Sequence, residues 1–176
     1  ACDGINKYID ELNSGKSVGL PLNNCDILNK EIGGFNCDGN IYGVGANSGV
    51  GKSTTVMNYI IPSILKFDEK VVFFINEEDQ TKVQREMVIW VANNIFKFDL
   101  PKYKLRDGNF DEETMTQLRK VADWIEEKKE NQNITIVPLE RYSVNIVIKL
   151  IKKYASLGVR YFVLDTLKES FDATTD

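Results

Sequence analysis

The sequence predicts an α/β fold, a mostly parallel sheet with helices on both of its faces. Three observations carry that prediction. Short β-prone runs at residues 41–44, 70–75, 134–137 and 160–165 alternate with stretches of helical periodicity, and strands separated by helices pair in parallel through right-handed crossovers. The run Lys70-Val71-Val72-Phe73-Phe74-Ile75 has no polar alternation, the mark of a strand covered on both faces. Between the first run and the first long helical stretch stands a loop of small residues closing on Gly51-Lys52-Ser53, which reads as strand, phosphate-cradling loop and first turn of a helix.

In chain order, Ile5, Tyr8, Ile9 and Leu12 fall at i, i+3, i+4 and i+7 and mark a short amphipathic helix ended by Asn13-Ser14-Gly15. It packs on its own domain or docks on a neighbouring subunit; the spacing leaves both open. Turn formers crowd residues 16–40 around the apolar pair Ile27-Leu28, a connector with at most one brief helix. The helix from near Lys52 turns Val56, Met57, Ile60, Ile61, Ile64 and Leu65 inward, and Pro62 is expected to kink or end it. A helix over 79–96 buries Val83, Met87, Trp90, Val91 and Ile95, with Trp90 read as core. Residues 99–109 read as a loop. Asp111-Glu112-Glu113 then open a helix that closes on Lys128-Lys129, with Met115, Leu118, Ala122 and Ile125 as its buried stripe. Ser143 caps the last helix and Gly158 ends it.

Composition excludes several classes. The 176 residues amount to one domain, 43% hydrophobic and 27% charged, ordinary for a globular protein. A net charge of -4 argues against coating nucleic acid by bulk electrostatics but leaves room for a local basic loop. Cys2, Cys25 and Cys37 form no C-x-x-C pair, so neither a disulfide framework nor a zinc site is suggested, and a reducing compartment fits best. No apolar run approaches membrane-spanning length, and the first residues lack the layout of a signal peptide. Histidine is absent, so any general base has to be a carboxylate.

The chemistry centres on Ala46-Asn47-Ser48-Gly49-Val50-Gly51-Lys52-Ser53. Small residues at 45, 46, 49 and 51 let backbone amides approach an anion, and the following helix points its positive end at the same place. Lys52 would reach the outer phosphates of a polyphosphate ligand and Ser53 would complete the coordination of Mg²⁺, with Thr54 second to it. The G-x-x-x-x-G-K-[ST] pattern has Ala46 where it asks for glycine, with Gly45 one place upstream. Asp165 closes the last apolar run, where its carboxylate would orient the Mg²⁺ shell directly or through water. Glu77-Glu78 follow the run ending at Asn76. Adjacent residues point apart, so at most one faces the terminal phosphate, and Glu77 is the expected general base. Arg85 would touch phosphate, pair with that glutamate or form a surface ion pair. Lys149, Lys152 and Lys153 read as a solvated helix face.

The succession Gly33-Gly34, residues 41–44, residues 46–53, Phe73-Phe74-Ile75-Asn76-Glu77, Arg106-Asp107-Gly108 and Val163-Leu164-Asp165 resembles the RecA-type ATPase domain of DnaB-like replicative helicases, over nearly the whole chain. The resemblance implies a RecA-like P-loop core over 16–176 behind a linker-type helix over 1–15, with Glu77 catalytic and Asp165 orienting the metal. It also implies a homo-oligomeric, hexameric ring, with Ile5, Tyr8, Ile9 and Leu12 docking on the next subunit, and a cytoplasmic setting in a bacterial host, phage-encoded or not. Family members continue past the Asp165 strand, the Walker B strand, with DNA-contacting loops and a trans-acting arginine. The resemblance therefore implies a core truncated there, which reaches single-stranded DNA through regions beyond this chain and meets a primase or helicase loader. Arg85 sits one place nearer the glutamate than the family's arginine, and Thr166-Leu167-Lys168 replaces the common Tyr-Leu-Gln. The alternatives are a RecA-, RadA- or KaiC-like ATPase with a non-helicase role, and a nucleotide-binding assembly module with incidental turnover.

Overall fold

The computed structural model describes residues 4–13, 19–36, 39–47, 49–76 and 79–167. Its centre is β1 (Val71–Ile75), all five residues buried. It is flanked by β2 (Ile134–Pro138) and β3 (Tyr161–Leu164) in the order β2-β1-β3. Both pairings are parallel, with Val71 opposite Ile134 on one side and Tyr161 on the other.

Side chains alternate across the sheet, and the unbroken apolar run of β1 therefore feeds two cores. Val71, Phe73 and Ile75 join one with Ile61, Ile64, Met87, Trp90 and Val121, whereas Val72 and Phe74 join another with Val159, Leu150, Ile151 and Tyr154. The first core is closed by the helical run 52–66, by α5 (Gln80–Asn94) and by α7 (Glu112–Glu130). The second is closed by α8 (Val144–Ser156). The connections from β1 to β2 and from β2 to β3 run in opposite directions across the sheet, and crossovers of one hand then require helices on opposite faces. The helices lie as that rule demands.

Local chemistry sets the helix ends. Asp79 accepts from the backbone N–H of Thr81 at 3.1 Å, Asp111 from that of Thr114 at 2.7 Å, and Ser143 from that of Ile146 at 3.3 Å. The backbone and side-chain hydrogen bonds from Thr114 hold the Asp111 carboxyl below its ordinary value, against a small opposing effect of desolvation. Before the sheet come α1 (Ile5–Asn13) and the brief α2 (Asp26–Ile32), which ends on Gly33 at φ 71.

Five expectations are corrected. Residues 41–44 are not a strand: Ile41 is 97% exposed, and among the described residues nothing pairs with this run. A strand exists only through its ladder. Here Tyr42 is instead held locally, its hydroxyl accepting from Asn36 N–H at 2.9 Å and its ring edge-on to Phe35 at 4.5 Å. Pro62 does not end the first helix, which is instead distorted just before it. α3 (Lys52–Thr55) passes through a π turn (Val56–Ile60) into α4 (Ile61–Lys66), with the Ile61 N–H reaching back to Val56, so the residue lacking an N–H falls in the first turn of α4. Residues 99–109 are not all loop: α6 (Lys102–Asp107) starts behind Pro101 and stops at Gly108, φ 68. The buried stripe of α7 is rotated by one residue. Thr114 and Val121 are buried, with Leu118 and Ile125 beside them, while Met115 and Ala122 are exposed; Ile95, at the end of α5, is exposed too.

Gly34 sits where two backbones cross. Leu20 and Phe35 exchange hydrogen bonds at 2.8 and 2.7 Å, and a Cβ on Gly34 would stand 2.6 Å from the Gly19 carbonyl oxygen, at φ +81. Gly34→Ala is expected to cost roughly 2 kcal/mol or more of unfolding free energy, from overpacking and left-handed strain together. Urea unfolding reads it, and an unchanged midpoint would contradict the close crossing.

Candidate functional site: a cleft at the sheet edge

Gly51 caps α3 at φ 105, a left-handed conformation that a side chain would strain, and Gly49 lies at φ 79. These two glycines turn the chain abruptly from the loop into the helix. A Cβ on Gly49 would meet no atom within 4 Å, so there is open space beside this glycine. Lys52, the first helical residue, bends back over the loop and donates to the carbonyls of Ala46 at 2.9 Å and Asn47 at 3.1 Å. Val50 is 69% exposed and closes the turn with its N–H on the Asn47 carbonyl at 3.4 Å.

The loop and the last strand meet at one point. Ser53 Oγ donates to Asp165 Oδ1 at 3.2 Å, joining positions 112 residues apart in sequence. Asp165 is brought there because its backbone N–H continues the sheet ladder onto the Phe74 carbonyl at 3.1 Å. Beside it, Asn76 at the end of β1 donates its amide to the Thr166 carbonyl, tying together the carboxyl ends of β1 and β3. Asn76 Oδ1 is buried with no hydrogen-bond partner among the described residues, the kind of acceptor that a water or ligand donor satisfies.

These groups border a cleft of about 230 Å³. Gly49, Gly51, Lys52, Ser53 and Thr54 form one wall, Met57 and Phe73 the apolar floor, and Thr166 closes the side of β3. The opposite wall is the start of α5: Lys82, Val83 and Glu86. The cleft lies beyond the carboxyl ends of the strands, where open parallel sheets place ligands. It is smaller than the roughly 300–1,000 Å³ of pockets that enclose a drug-sized molecule.

Of the residues expected at the site, Gly49, Gly51, Lys52, Ser53, Thr54 and Asp165 converge on the cleft or its edge. Ala46 and Asn47 reach it through the carbonyls that hold Lys52. Arg85 is exposed and stands off the cleft wall. Glu77, Glu78 and Ser48 lie outside the described residues. Lys82, Asn76 and Thr166 were not singled out by sequence; a lysine on an amphipathic helix reads as solvated until the sheet edge behind it is known.

The Ser53 hydroxyl and the Asp165 carboxylate are hard oxygen donors, the set that suits Mg²⁺. Among the described residues no group of three or more His, Cys, Asp or Glu could hold a metal ion. These two oxygen donors could contribute to an Mg²⁺ coordination shell without completing it. Among the described residues, no helix is long and apolar enough to cross a membrane. No protein-family model and no curated protein matches the chain, so its function has to be read from this geometry.

Proposed function

We propose that the chain is the Mg²⁺-dependent, ATP-binding and ATP-hydrolysing core of a RecA-type motor, of the kind found in DnaB-like replicative DNA helicases. The observation that carries the proposal is the hydrogen bond from Ser53 to Asp165 at 3.2 Å. It unites a glycine-turned loop, a lysine and a strand-end carboxylate at one rim of a parallel sheet, the combination that phosphoryl-transfer sites of this class require.

Backbone amides of residues 46–51 would bind the phosphate tail, with the α3 dipole adding to their field. Lys52 would exchange its two loop carbonyls for outer phosphate oxygens, trading neutral acceptors for charged ones and so gaining in strength. Ser53 and Asp165 would hold Mg²⁺, which when bound neutralises charge on the terminal phosphates. Glu77 would take the proton of the attacking water, a role resting on its place directly after the residues that end β1. The strand before Glu77 is the immediate neighbour of the strand before Asp165, which favours both carboxylates serving one site.

The helicase assignment is supported by the resemblance in sequence. Within it, α1 is the linker helix that docks on the next subunit of a hexameric ring. Ile5 and Ile9 are 52% and 53% exposed, as a docking stripe would be; the side chains of Tyr8 and Leu12 lie outside the described residues. Single-stranded DNA and a primase or loader would be the partners of such a motor. Calorimetric titration of the wild-type chain and of Lys52→Ala with ATP tests the core of this reading.

A further inference from the structure

The seam between β1 and β3 is shorter than the seam on the other side of β1, and the candidate site stands where it ends. Toward β2 the ladder runs to Ile75 opposite Pro138 and is prolonged by the Leu139 N–H on the Ile75 carbonyl at 2.7 Å. Toward β3 the register stops at Phe74 opposite Leu164, and the last backbone rung among the described residues is the Asp165 N–H on the Phe74 carbonyl. Beyond that rung the bridge is a side chain: the Asn76 amide donates to the Thr166 carbonyl. Asp165 is therefore tied on both sides, through its own N–H and through the carbonyl of the next residue. With both ties in place the direction of its side chain is set, and the carboxylate meets Ser53 Oγ at 3.2 Å across the rim. Thr166, the residue that Asn76 grips, lines the cleft itself.

The arrangement of Asn76 is a costly one for a group that only closes a sheet. Its Nδ2 is engaged with Thr166, and its Oδ1 is buried with no hydrogen-bond partner among the described residues; an acceptor buried in that way subtracts from stability. An apolar side chain in the same place would bury no such atom, but it could not hold the Thr166 carbonyl. We propose that Asn76 is a positioning residue, which by holding Thr166 fixes the Asp165 carboxylate beside Ser53 and so preforms the oxygen pair that receives a phosphate-borne divalent cation. The inference rests on the nucleotide-binding reading above. Asn76 touches neither nucleotide nor cation in this role; it acts through Asp165, as groups standing behind metal ligands orient those ligands.

The test is calorimetric titration of the full chain with ATP, once in EDTA and once in Mg²⁺, as wild type, Asn76→Ala, Asp165→Asn and the double variant. Asn76→Ala is expected to change ATP affinity in EDTA by no more than about twofold, while the increment that Mg²⁺ adds falls about tenfold, the lower end for groups that orient a metal's ligands. In the double variant the increment falls no further than in Asp165→Asn alone, because two groups acting through one carboxylate are not additive. Asn76→Leu fills the same space without a donor and is expected to reproduce the effect of Asn76→Ala, and thermal melts followed by circular dichroism establish that the variants compared are folded. Equal losses with and without Mg²⁺, no loss in either, or additive losses in the double variant would each overturn the role of Asn76 while leaving nucleotide binding intact. A wild type that binds ATP with no Mg²⁺ increment overturns both the role and the cation site; one that binds no ATP overturns the nucleotide-binding reading as well.

Discussion

Lys52→Ala is expected to weaken ATP binding by about 10- to 100-fold, corresponding to the loss of roughly 1.5–3 kcal/mol from a charged hydrogen-bonding partner of the phosphates. The fold should survive unchanged. Among the described residues, Lys52 Nζ hydrogen-bonds to the carbonyls of Ala46 and Asn47, both in the exposed loop, and it belongs to neither core. A substitution of that kind usually alters stability by no more than about 0.5 kcal/mol. Titration calorimetry and a urea melt on the same preparation separate the two effects. If ATP affinity stays at the wild-type value, the lysine does not face the ligand and the phosphate reading of the loop fails; if the melt shifts by several kcal/mol, its loop contacts are structural.

Asp165→Asn should act on the cation instead of the nucleotide. The substitution keeps shape, and its amide oxygen still accepts from Ser53 Oγ at the position that Oδ1 occupies at 3.2 Å, so the rim should stay assembled. What disappears is a full negative charge beside the expected Mg²⁺. ATP binding measured in EDTA should therefore hardly change, whereas the increment that Mg²⁺ adds should fall by about 10- to 100-fold, the range for groups that support a bound metal. Equal losses with and without Mg²⁺ would mean that Asp165 contributes to architecture alone.

The elements that were legible in sequence are those whose signal is local. Five consecutive apolar residues at 71–75 admit few readings besides a strand covered on both faces, and β1 is buried along its whole length. Ser143 announced its helix because an N-cap satisfies amides only a few residues away, and Asp111-Glu112-Glu113 announced theirs by setting negative charge at the positive end of the helix dipole. Trp90 followed its periodicity into the core. Residues 41–44 failed for the converse reason. Their side chains suit a strand, but pairing is a property of a partner segment, and β-propensity measures fit to a neighbour more than any backbone preference.

The site was legible in the same uneven way. Gly49, Gly51, Lys52 and Ser53 are a contiguous motif whose spacing is its geometry, and Asp165 could be matched to them because a strand end is a recognisable position. Lys82 and Asn76 could not, since their relevance comes from the β1–β3 pairing and from α5 starting at the same sheet edge. Arg85 was the more conspicuous cation by type, but its helical phase turns it away from the cleft wall. In α7 the error was one residue of phase: Thr114, a polar residue, takes a buried position that the apolar pattern had given to Met115.

A crystal structure of the chain grown with a non-hydrolysable ATP analogue and Mg²⁺ bears most directly on the whole account. The expected result is a triphosphate tail along the amides of residues 46–51, with Lys52 released from the Ala46 and Asn47 carbonyls and the cation beside Ser53 and Asp165. An analogue bound at another surface, with Lys52 still on those two carbonyls, would contradict it.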